Sequence, residues 1–400
     1  MNIRDKIEQK LTDIFPANLR PINKEAIPLI TSLKDGNYGY SFLGLKTSTR
    51  PEDPTLPSSV FPDGLLYHND KASFGIRIAR YPANPEKICL ICVAPRGRDW
   101  VSELDFFRTK VEEHFPDNLF FVRHLSHEDW KALGSPTNLG FIAQGKHDEP
   151  WQSMDFTPLE NIDSSEEKYR VGDDQEYHHR LLSRRDIIKA EERGYKGYTG
   201  NITRPNRTRR KQTRKFFEDN NLTLDWKDLD EETVKEARAL TALHFADPGV
   251  RSFYENIFRT APEYLQQVNA TCKVMYLCNE NGRLPVGFYA AEPTGQDDEI
   301  VARYAGFSHM KEEHIKTIAE KALNHKDVLD RYFSWSFLQI MVEKYNNLKT
   351  IDFGGSETPG LEYFKEDTGC QKEISYWVAS LESLRKASLV PNVVRNRLGR

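Results

Sequence analysis

The sequence lacks any long run of apolar residues. The longest uninterrupted run, Ile88 to Ala94, has seven residues, whereas a bilayer-spanning helix needs roughly 20. Residues 1–15 have the spacing of a charged amphipathic helix, without the apolar stretch and small-residue cleavage site of a signal peptide. We therefore expect a cytoplasmic protein with no membrane span.

Cysteine is scarce, and the chain contains five of them. Cys89 and Cys92 have the CxxC spacing of a redox or zinc site, but on a strand this spacing points the two sulfurs to opposite faces. Cys272 and Cys278 also lie in apolar, strand-like stretches, which favours buried free thiols over a disulfide framework. Since no cluster of His, Cys and carboxylates has ligand spacing either, the sequence predicts no metal and no bound cofactor.

The composition is that of a soluble globular protein. Apolar residues make up 38% of the 400 residues, charged residues 29% and aromatic residues 11%, which excludes a disordered chain. The net charge of −4 gives no overall preference for a polyanion. The length indicates roughly two to three domains.

Changes in sequence character divide the chain into four parts. Residues 1–145 contain a strand, helix and strand in succession from Lys87 onward, which predicts an α/β domain. Residues 146–176 carry ten acidic side chains against three basic ones, which indicates a linker or an exposed excursion. Residues 177–386 alternate strand and helix patterns as a second domain, and residues 387–400 form a basic tail.

Apolar periodicity predicts the elements of the second half. Strands are expected at 221–226, 273–278, 285–292, 299–307, 350–353 and 374–379, and helices at 231–245, 311–324, 334–346 and 361–366. The sequence AsnGluAsnGly between the second and third of these strands is a hairpin signal. This order of elements indicates a mixed α/β sheet.

A strongly basic segment follows the acidic one. Between Arg180 and Lys215, nine arginines and four lysines stand against three acidic residues, a net charge of +10. If 206–218 is helical, its cations form one stripe that can neutralise several phosphates, with Phe216 and Phe217 as anchors. A solvated helix face is the alternative, and the scarcity of acidic partners weighs against it. The candidate nucleic-acid contacts are Arg204, Arg207, Arg209, Arg210, Lys211, Arg214 and Lys215.

Two stretches of the second half resemble a known family. They are 300–310, IleValAlaArgTyrAlaGlyPheSerHisMet, and 331–370, which contains AspPheGlyGly at 352–355 and PheLys at 364–365. Their motifs and element order are similar to the C-terminal half of GNAT-superfamily N-acyltransferases. The Fem-like branch is the most similar, that is, aminoacyl-tRNA-dependent peptidyltransferases and lysyl-phosphatidylglycerol synthase-like proteins. The resemblance implies an α/β (α+β mixed sheet) fold of tandem GNAT-like domains, the N-terminal one degenerate and the C-terminal one active.

The end of the strand 350–353 is the predicted active-site region. A carboxylate and two glycines there suit a ligand, because glycine permits close backbone approach and exposed amides can face a carbonyl oxygen. A plain strand-to-helix turn with an N-cap at Ser356 or Thr358 is the alternative. The predicted catalytic residues are Asp352, His309 and Glu292, the last two as rival general bases. The predicted substrate-binding residues are Arg303, Ser308, Trp335, Gly354, Gly355, Ser356, Glu357 and Lys365.

The donor implied by the resemblance is an aminoacyl-tRNA. Classical acetyl-CoA users have a basic-x-x-Gly-x-Gly/Ala turn before a helix, whereas this chain has Ser308 at the last small position after Arg303 and Gly306. The basic segment is then a tRNA contact, and the acceptor is an amine on a small molecule, a peptide or a lipid head group. The alternatives are an acyl-CoA-dependent N-acyltransferase and a non-catalytic RNA- or protein-binding module.

Overall fold

The chain folds into two compact units. The first comprises Met1–His179, Asp247–Asn256 and Ile374–Arg400, and the second comprises Arg180–Ala246 and Ile257–Glu373. The sequence-based boundaries of the four parts stay a prediction. This computed structural model describes residues 3–49, 63–81, 84–116, 118–133, 141–144, 155–158, 176–192, 204–246, 248–319, 326–355, 364–366, 368–370 and 372–380.

The elements are numbered in chain order. The strands are β1 (Leu19–Pro21), β2 (Leu65–His68), β3 (Ser73–Tyr81), β4 (Asn84–Arg96), β5 (Leu119–Leu125), β6 (Phe141–Gln144), β7 (Asp155–Pro158), β8 (Glu176–Ser183), β9 (Thr223–Asp228), β10 (Thr271–Asn279), β11 (Gly282–Pro293), β12 (Ile300–Ser308), β13 (Thr350–Gly355) and β14 (Lys372–Ser380). The α-helices are α1 (Ile3–Ile14), α2 (Ile27–Ser32), α3 (Phe42–Ser48), α4 (Trp100–His114), α5 (His127–Ala132), α6 (Arg184–Glu192), α7 (Arg204–Asp219), α8 (Glu231–His244), α9 (Pro248–Phe258), α10 (Pro262–Gln267), α11 (Glu312–Ile315) and α12 (Lys326–Lys344).

The sheet of the first unit has the strand order β1-β2-β3-β4-β5-β14. Neighbouring strands are antiparallel except β4 and β5, which are parallel and are joined by α4. The core on one face includes Phe107 of α4 and the apolar stripe predicted for the N-terminal helix, namely Ile7, Leu11 and Phe15. The apolar spacing of that helix is therefore explained by its packing on the sheet.

The second unit repeats this pattern. Its strand order is β8-β13-β12-β11-β10-β9, in which β8 contributes its part from Arg180 onward. Neighbouring strands from β9 to β12 are antiparallel, and β12 and β13 are parallel with α11 and α12 between them. The core on one face includes Phe216 of α7, Phe337 of α12 and Phe353 of β13.

Both units thus combine an antiparallel meander with one parallel pair and a helical connection between its strands. The predicted fold class, a mixed α/β protein of two similarly built units, is confirmed by this repeated architecture. The degeneracy of the N-terminal unit stays a prediction. None of the helices in the described part of the chain combines the length and the apolar character that a bilayer crossing needs.

The helices between β12 and β13 differ from the prediction in their bounds. Of the predicted helix 311–324, α11 covers Glu312–Ile315, and 320–325 lie outside the described residues. α12 begins at Lys326, earlier than the predicted start at Ser334. Its first six residues, LysAspValLeuAspArg, carry too much charge to show an apolar period. Acidic side chains stabilise the first turn of a helix through its dipole, so the helix starts there without that period.

The acidic region 146–176 contains one described element within it. Asp155–Pro158 forms β7, which pairs antiparallel with Phe141–Gln144 of β6. The other residues between 145 and 175 lie outside the described ranges. A linker or excursion at these residues therefore stays a prediction, with a short β-hairpin at part of it.

Candidate functional site

The candidate site begins where the parallel pair of the second unit opens. β12 and β13 pair through Ile300–Ala302 and Thr350–Asp352. Beyond these residues β12 stays paired with β11 as far as Ser308, while no further pairing joins the described residues of β12 and β13. The two strands therefore part beyond Ala302 and Asp352, with 303–308 on one side of a gap and 353–355 on the other. We call this gap the wedge.

The corresponding pair in the first unit stays closed for longer. β4 and β5 pair at five consecutive positions, Cys89–Val93 with Leu119–Arg123. The next residues, Ala94 and His124, have left-handed φ angles of 48° and 57°, which residues other than glycine seldom adopt. Within the described residues, the parallel ladder thus has five pairs in the first unit and three in the second.

Asp352 and Lys365 hold the end of β13 in place. Oδ1 of Asp352 accepts a hydrogen bond from the Gly354 N–H at 2.7 Å. The Lys365 ammonium donates to the carbonyl of Gly354 at 2.7 Å and to that of Gly355. Gly354 has φ 72°, in the left-handed region that glycine adopts without strain. Asp352 and Lys365 are both buried, so their charges stabilise the backbone of this turn from inside the protein.

Replacing Lys365 by Met should lower the free energy of unfolding by about 2 to 4 kcal/mol, because hydrogen bonds from charged groups contribute roughly 1.5 to 3 kcal/mol each. Urea denaturation measures the change. The control is Lys349→Met, since Lys349 is 68% exposed and pairs with Glu299 on the surface. Loss of that pair should cost less than about 1 kcal/mol. Equal stabilities of the two variants would show that the fold does not need the Lys365 bonds.

Arg303 lies at the start of the wedge among aromatic rings. Its Nη1 donates to the Ser334 hydroxyl at 2.7 Å. Its guanidinium carbon lies 5.2 Å from the ring centres of Tyr289 and Phe353 and 5.8 Å from that of Phe364. Cation–π contacts favour a charged guanidinium over the ring faces. Arg303 therefore presents a fixed positive charge beside the end of β13.

A β-bulge and Gly306 make room for Arg303. The pairing of β11 with β12 shifts at Tyr304, which is the extra residue, so Arg303 and Gly306 come to share one face of the sheet. A Cβ atom at Gly306 would lie 2.3 Å from Nη2 of Arg303. The segment 303–308, compared above with a phosphate-binding turn, is part of a strand. Sequence reasoning missed Gly306 and Ser334 as supports of Arg303, although the Arg-x-x-Gly spacing was the available signal.

Cys370 shows that these groups share one neighbourhood. Burial raises the pKa of its thiol to about 12, while the charges of Lys365 and Arg303 oppose this rise and that of Asp352 adds to it. Cys370 itself was not among the predicted site residues. The structure thus brings together five of them, namely Asp352, Gly354, Gly355, Arg303 and Lys365.

A second group of predicted residues lies at the other end of the wedge. Ser308 and His309 follow Ala302 along β12 at a distance of roughly 20 Å, given a rise of about 3.3 Å per residue. Both are buried, and the Ser308 hydroxyl has no hydrogen-bond partner in the described part of the chain. The ring centre of His309 lies 5.6 Å from that of His244 and 5.1 Å from that of His314. The candidate general base therefore lies in a histidine cluster.

His244 was not predicted from the sequence. Burial, with smaller effects of His309 and Lys311, lowers the pKa of His244 to about 4. Its ring also contacts Phe245 and Phe307, with 4.5 and 4.8 Å between ring centres. His244 therefore stays neutral at pH 7 and places no positive charge beside His309. Because it is the last residue of α8, its linear context showed a helix end and no further signal.

The stability of the protein should fall as the pH is lowered from 7 to 5. Native His244 stays neutral down to about pH 4, whereas the unfolded chain takes up a proton there below about pH 6.5. Protons then favour the unfolded chain, so this stabilisation is complete above pH 6.5 and is lost between pH 6.5 and about 4. Urea denaturation should show that the free energy of unfolding of His244→Phe falls by about 1 to 2 kcal/mol less over this range than that of the unchanged protein. Identical pH dependences would contradict the assignment to His244.

Glu292 lies in the same cross-strand row as Asp352. Glu292 pairs with Ala302, and Ala302 pairs with Asp352, so the two carboxylates share a face with Cα atoms about 10 Å apart. Glu292 is completely buried. The pKa of the Cys272 thiol is raised mainly by burial and, to a smaller extent, by the charge of Glu292. The Glu292 carboxylate therefore lies near Cys272, across β12 from the wedge.

The remaining substrate-binding predictions fall into two cases. Trp335 is 7% exposed and belongs to the apolar core of the second unit, so its indole packs inside that core. Ser356 and Glu357 lie outside the described residues. The functional roles of all these positions stay predictions.

The basic segment contains the predicted helix. α7 spans Arg204–Asp219, and Phe216 is buried while Phe217 packs against Tyr332 and Phe333 of α12. Both phenylalanines thus anchor the helix, as the sequence indicated. Among the predicted contacts, the exposed side chains of Arg214 and Lys215 are described. The side chains of the other five predicted contacts lie outside the described part of the chain, although their backbone is helical. These residues are Arg204, Arg207, Arg209, Arg210 and Lys211.

Comparison with known proteins yields a shared fold. No family model matches the chain, and no curated protein matches it. A solved structure of a conserved protein of unknown function from Bacteroides thetaiotaomicron is similar at 11% identity and a TM-score of 0.55, over 90% of this chain and 98% of its own. L-PGS from Bacillus licheniformis is similar at 12% identity and a TM-score of 0.49, over 92% and 96%. A tandem GNAT protein from the clavulanic acid biosynthesis pathway is similar at 9% identity and a TM-score of 0.41, over 91% and 97%. The chain therefore shares its fold with the Bacteroides protein, and the solved structures similar to it at lower TM-scores include a tandem GNAT protein.

Proposed function

We propose that the protein is an N-acyltransferase that transfers an aminoacyl group from charged tRNA to an amine, with its active site in the second unit. The observation that carries the proposal is the wedge. There β12 and β13 part beyond Ala302 and Asp352, which leaves room for an extended substrate arm at the carboxyl ends of these two strands. The turn held by Asp352 and Lys365 forms the other side of the wedge, where the GNAT-like motif lies.

The proposed reaction depends mainly on how the ester and the amine are positioned relative to each other. The amine nitrogen attacks the ester carbonyl carbon, the C–N bond forms, the C–O bond to the ribose breaks, and the proton lost by the amine passes to the ribose oxygen. A neutral imidazole at His309 can accept that proton and return it to the leaving oxygen. The negative charge that develops on the carbonyl oxygen requires hydrogen-bond donors at the wedge. Holding ester and amine together supplies much of the remaining rate.

The surroundings of β12 favour tRNA over acyl-CoA as the donor. The segment 303–308 is paired strand and therefore does not form the amide-lined turn that binds a pyrophosphate at a helix start. The helix after it, α11, has four residues and begins with Glu312 and Glu313, whose charges repel phosphate. The basic helix α7, in contrast, has 16 residues and is anchored on the second unit by Phe216 and Phe217.

The test is a transfer assay with the full chain. A tRNA pool charged with radiolabelled amino acids is mixed with the protein and with amines of the three acceptor classes, and the label is followed into a product that alkali does not hydrolyse. A protein-dependent, alkali-stable amide supports the proposal. Amide formation from acyl-CoA alone would show that the donor is acyl-CoA. RNA binding without any amide formation would show that the protein is a non-catalytic module.

A matched pair of glycine variants ties the activity to the wedge. Gly354 and Gly282 both have positive φ angles, 72° and 146°, so alanine strains the backbone at either position. Gly282 lies in the hairpin between β10 and β11, with open space around it. Loss of transfer in Gly354→Ala with activity kept in Gly282→Ala supports the site. The reverse result would place the chemistry elsewhere.

A further inference from the structure

An aromatic side chain on α12 is exposed beside the basic helix. Tyr332 is 40% exposed. Its ring packs edge-on against Phe217 of α7, with 5.6 Å between ring centres, and against its neighbour Phe333 at 6.2 Å. Contacts on one side thus hold the ring while a large part of it faces solvent. An exposed ring that its neighbours hold in place loses little freedom when a flat partner stacks on it.

A cation of α7 lies next to Phe217, the residue that Tyr332 contacts. Arg214 precedes Phe217 by three residues on α7, so the two side chains are neighbours on the helix surface, about 5 to 6 Å apart at Cβ. Arg214 and Lys215 are exposed. Phe217 therefore neighbours both Arg214 on its own helix and Tyr332 on α12. We call Arg214, Phe217 and Tyr332 the aromatic-basic surface.

The helix that carries Tyr332 also reaches the wedge. Ser334, two residues later on α12, accepts the hydrogen bond from Arg303. Side chains two residues apart on a helix point to nearly opposite sides, and their Cα atoms lie about 3 Å apart along the helix axis. Ser334 is buried toward the sheet, and Tyr332 is exposed on the other side. The aromatic-basic surface is thus roughly one helix diameter, about 10 Å, from the start of the wedge.

We propose that Tyr332 is a stacking platform for an unpaired RNA base whose neighbouring phosphates are bound by the cations of α7. The inference rests on the proposed function and specifies it, because the unpaired end of a charged tRNA would stack here before entering the wedge. Nucleobases stack on aromatic side chains irrespective of sequence, and the adjacent positive charges hold the backbone. An exposed ring near the exposed cation Arg214 suits a partner that is flat, aromatic and anionic.

The experiment measures RNA binding by the full chain. Fluorescence anisotropy gives the Kd of an uncharged RNA hairpin with a short unpaired 3′ end and of the same hairpin with a blunt end. We expect Tyr332→Ala to weaken binding of the first hairpin roughly 5- to 100-fold, as expected for one base–aromatic stack, with the blunt hairpin little changed. Tyr332→Phe keeps the ring and should bind as the unchanged protein does. The control is Phe106→Ala, which removes a ring that is 47% exposed on the first unit and should leave both Kd values unchanged.

The other outcomes separate this inference from the proposed function. Equal losses for the two hairpins, or no loss in Tyr332→Ala, overturn the stacking role even if amide formation succeeds. If loss of the Tyr332 ring weakens binding of the first hairpin only, and no amide forms in the transfer assay, Tyr332 is an RNA contact and the catalytic proposal is wrong. Binding of an oligoglutamate peptide as tight as that of the RNA, and equally lost in Tyr332→Ala, would assign the surface to an acidic protein partner and overturn the proposal.

Discussion

Replacing His309 by Ala should lower kcat for aminoacyl transfer by about 10²- to 10⁴-fold, the usual contribution of a general base. His309 is buried at the end of β12, and the neighbouring His244 is kept neutral by burial. The His309 ring is the group that would accept the proton of the attacking amine. KM should change little, because the imidazole acts on the proton and does not hold the donor. Steady-state formation of the alkali-stable amide measures both constants.

Chemical rescue distinguishes a lost base from a damaged fold. Imidazole added to His309→Ala should restore part of kcat by occupying the space that the side chain left. The control is His314→Ala, since His314 is also in the cluster but its Nε2 interacts with the Pro285 carbonyl at 2.8 Å. If His309→Ala keeps nearly full kcat, the base is another residue. Glu292→Gln, the rival base predicted from the sequence, is then the next variant.

Neutralising Arg207, Arg210, Lys211 and Arg214 together should weaken tRNA binding about 10²- to 10³-fold near 0.1 M salt. Each phosphate contact contributes roughly 0.7 to 0.9 to the slope of log K against log salt concentration, so the slope should fall by about 3. Filter binding over a salt series measures both quantities. Phe216 and Phe217, which anchor this helix on the second unit, are unchanged in this variant.

The matched control removes four exposed cations from other places in the protein. The variant carries alanine at Lys6, Arg98, Lys131 and Lys235, whose side chains are all exposed. It has the same net charge as the stripe variant, so equal weakening in both would mean that overall charge, and no specific surface, binds the RNA. A stripe variant with unchanged affinity would support acyl-CoA as the donor instead.

Local signals were enough to predict most elements of the second unit. AsnGluAsnGly joins β10 and β11 as a hairpin, since a turn depends on a few adjacent residues. α7 was recognised because Phe216 and Phe217 interrupt a run of cations at one end of a helical stripe. The start of α12 was not predicted, because its first residues are mostly charged and show no apolar period. The helix dipole, which favours an acidic residue in the first turn, produces no periodic signal in the sequence.

The candidate site could be predicted in part. Asp352, Gly354, Gly355 and Lys365 are linked by hydrogen bonds within one short stretch of chain, so a motif could bring them together. Arg303 was identified, but its supports were not. Ser334 and Phe364 come from elements distant in sequence, and one inserted residue in a strand decides which side chains share a face. Burial of His244 beside His309 likewise depends on how α8 packs on β12.

The pattern of apolar and charged residues thus specified the order of strands and helices and the basic helix, because both follow from interactions between residues close in the chain. The wedge depends on where the ladder between β12 and β13 ends, at Ala302 and Asp352. The pKa of His244 depends on burial by other elements, and the exposure of Tyr332 beside Phe217 depends on how α12 meets α7. Tertiary structure decided these features, since pairing, desolvation and contact between distant segments exist only when the chain is folded.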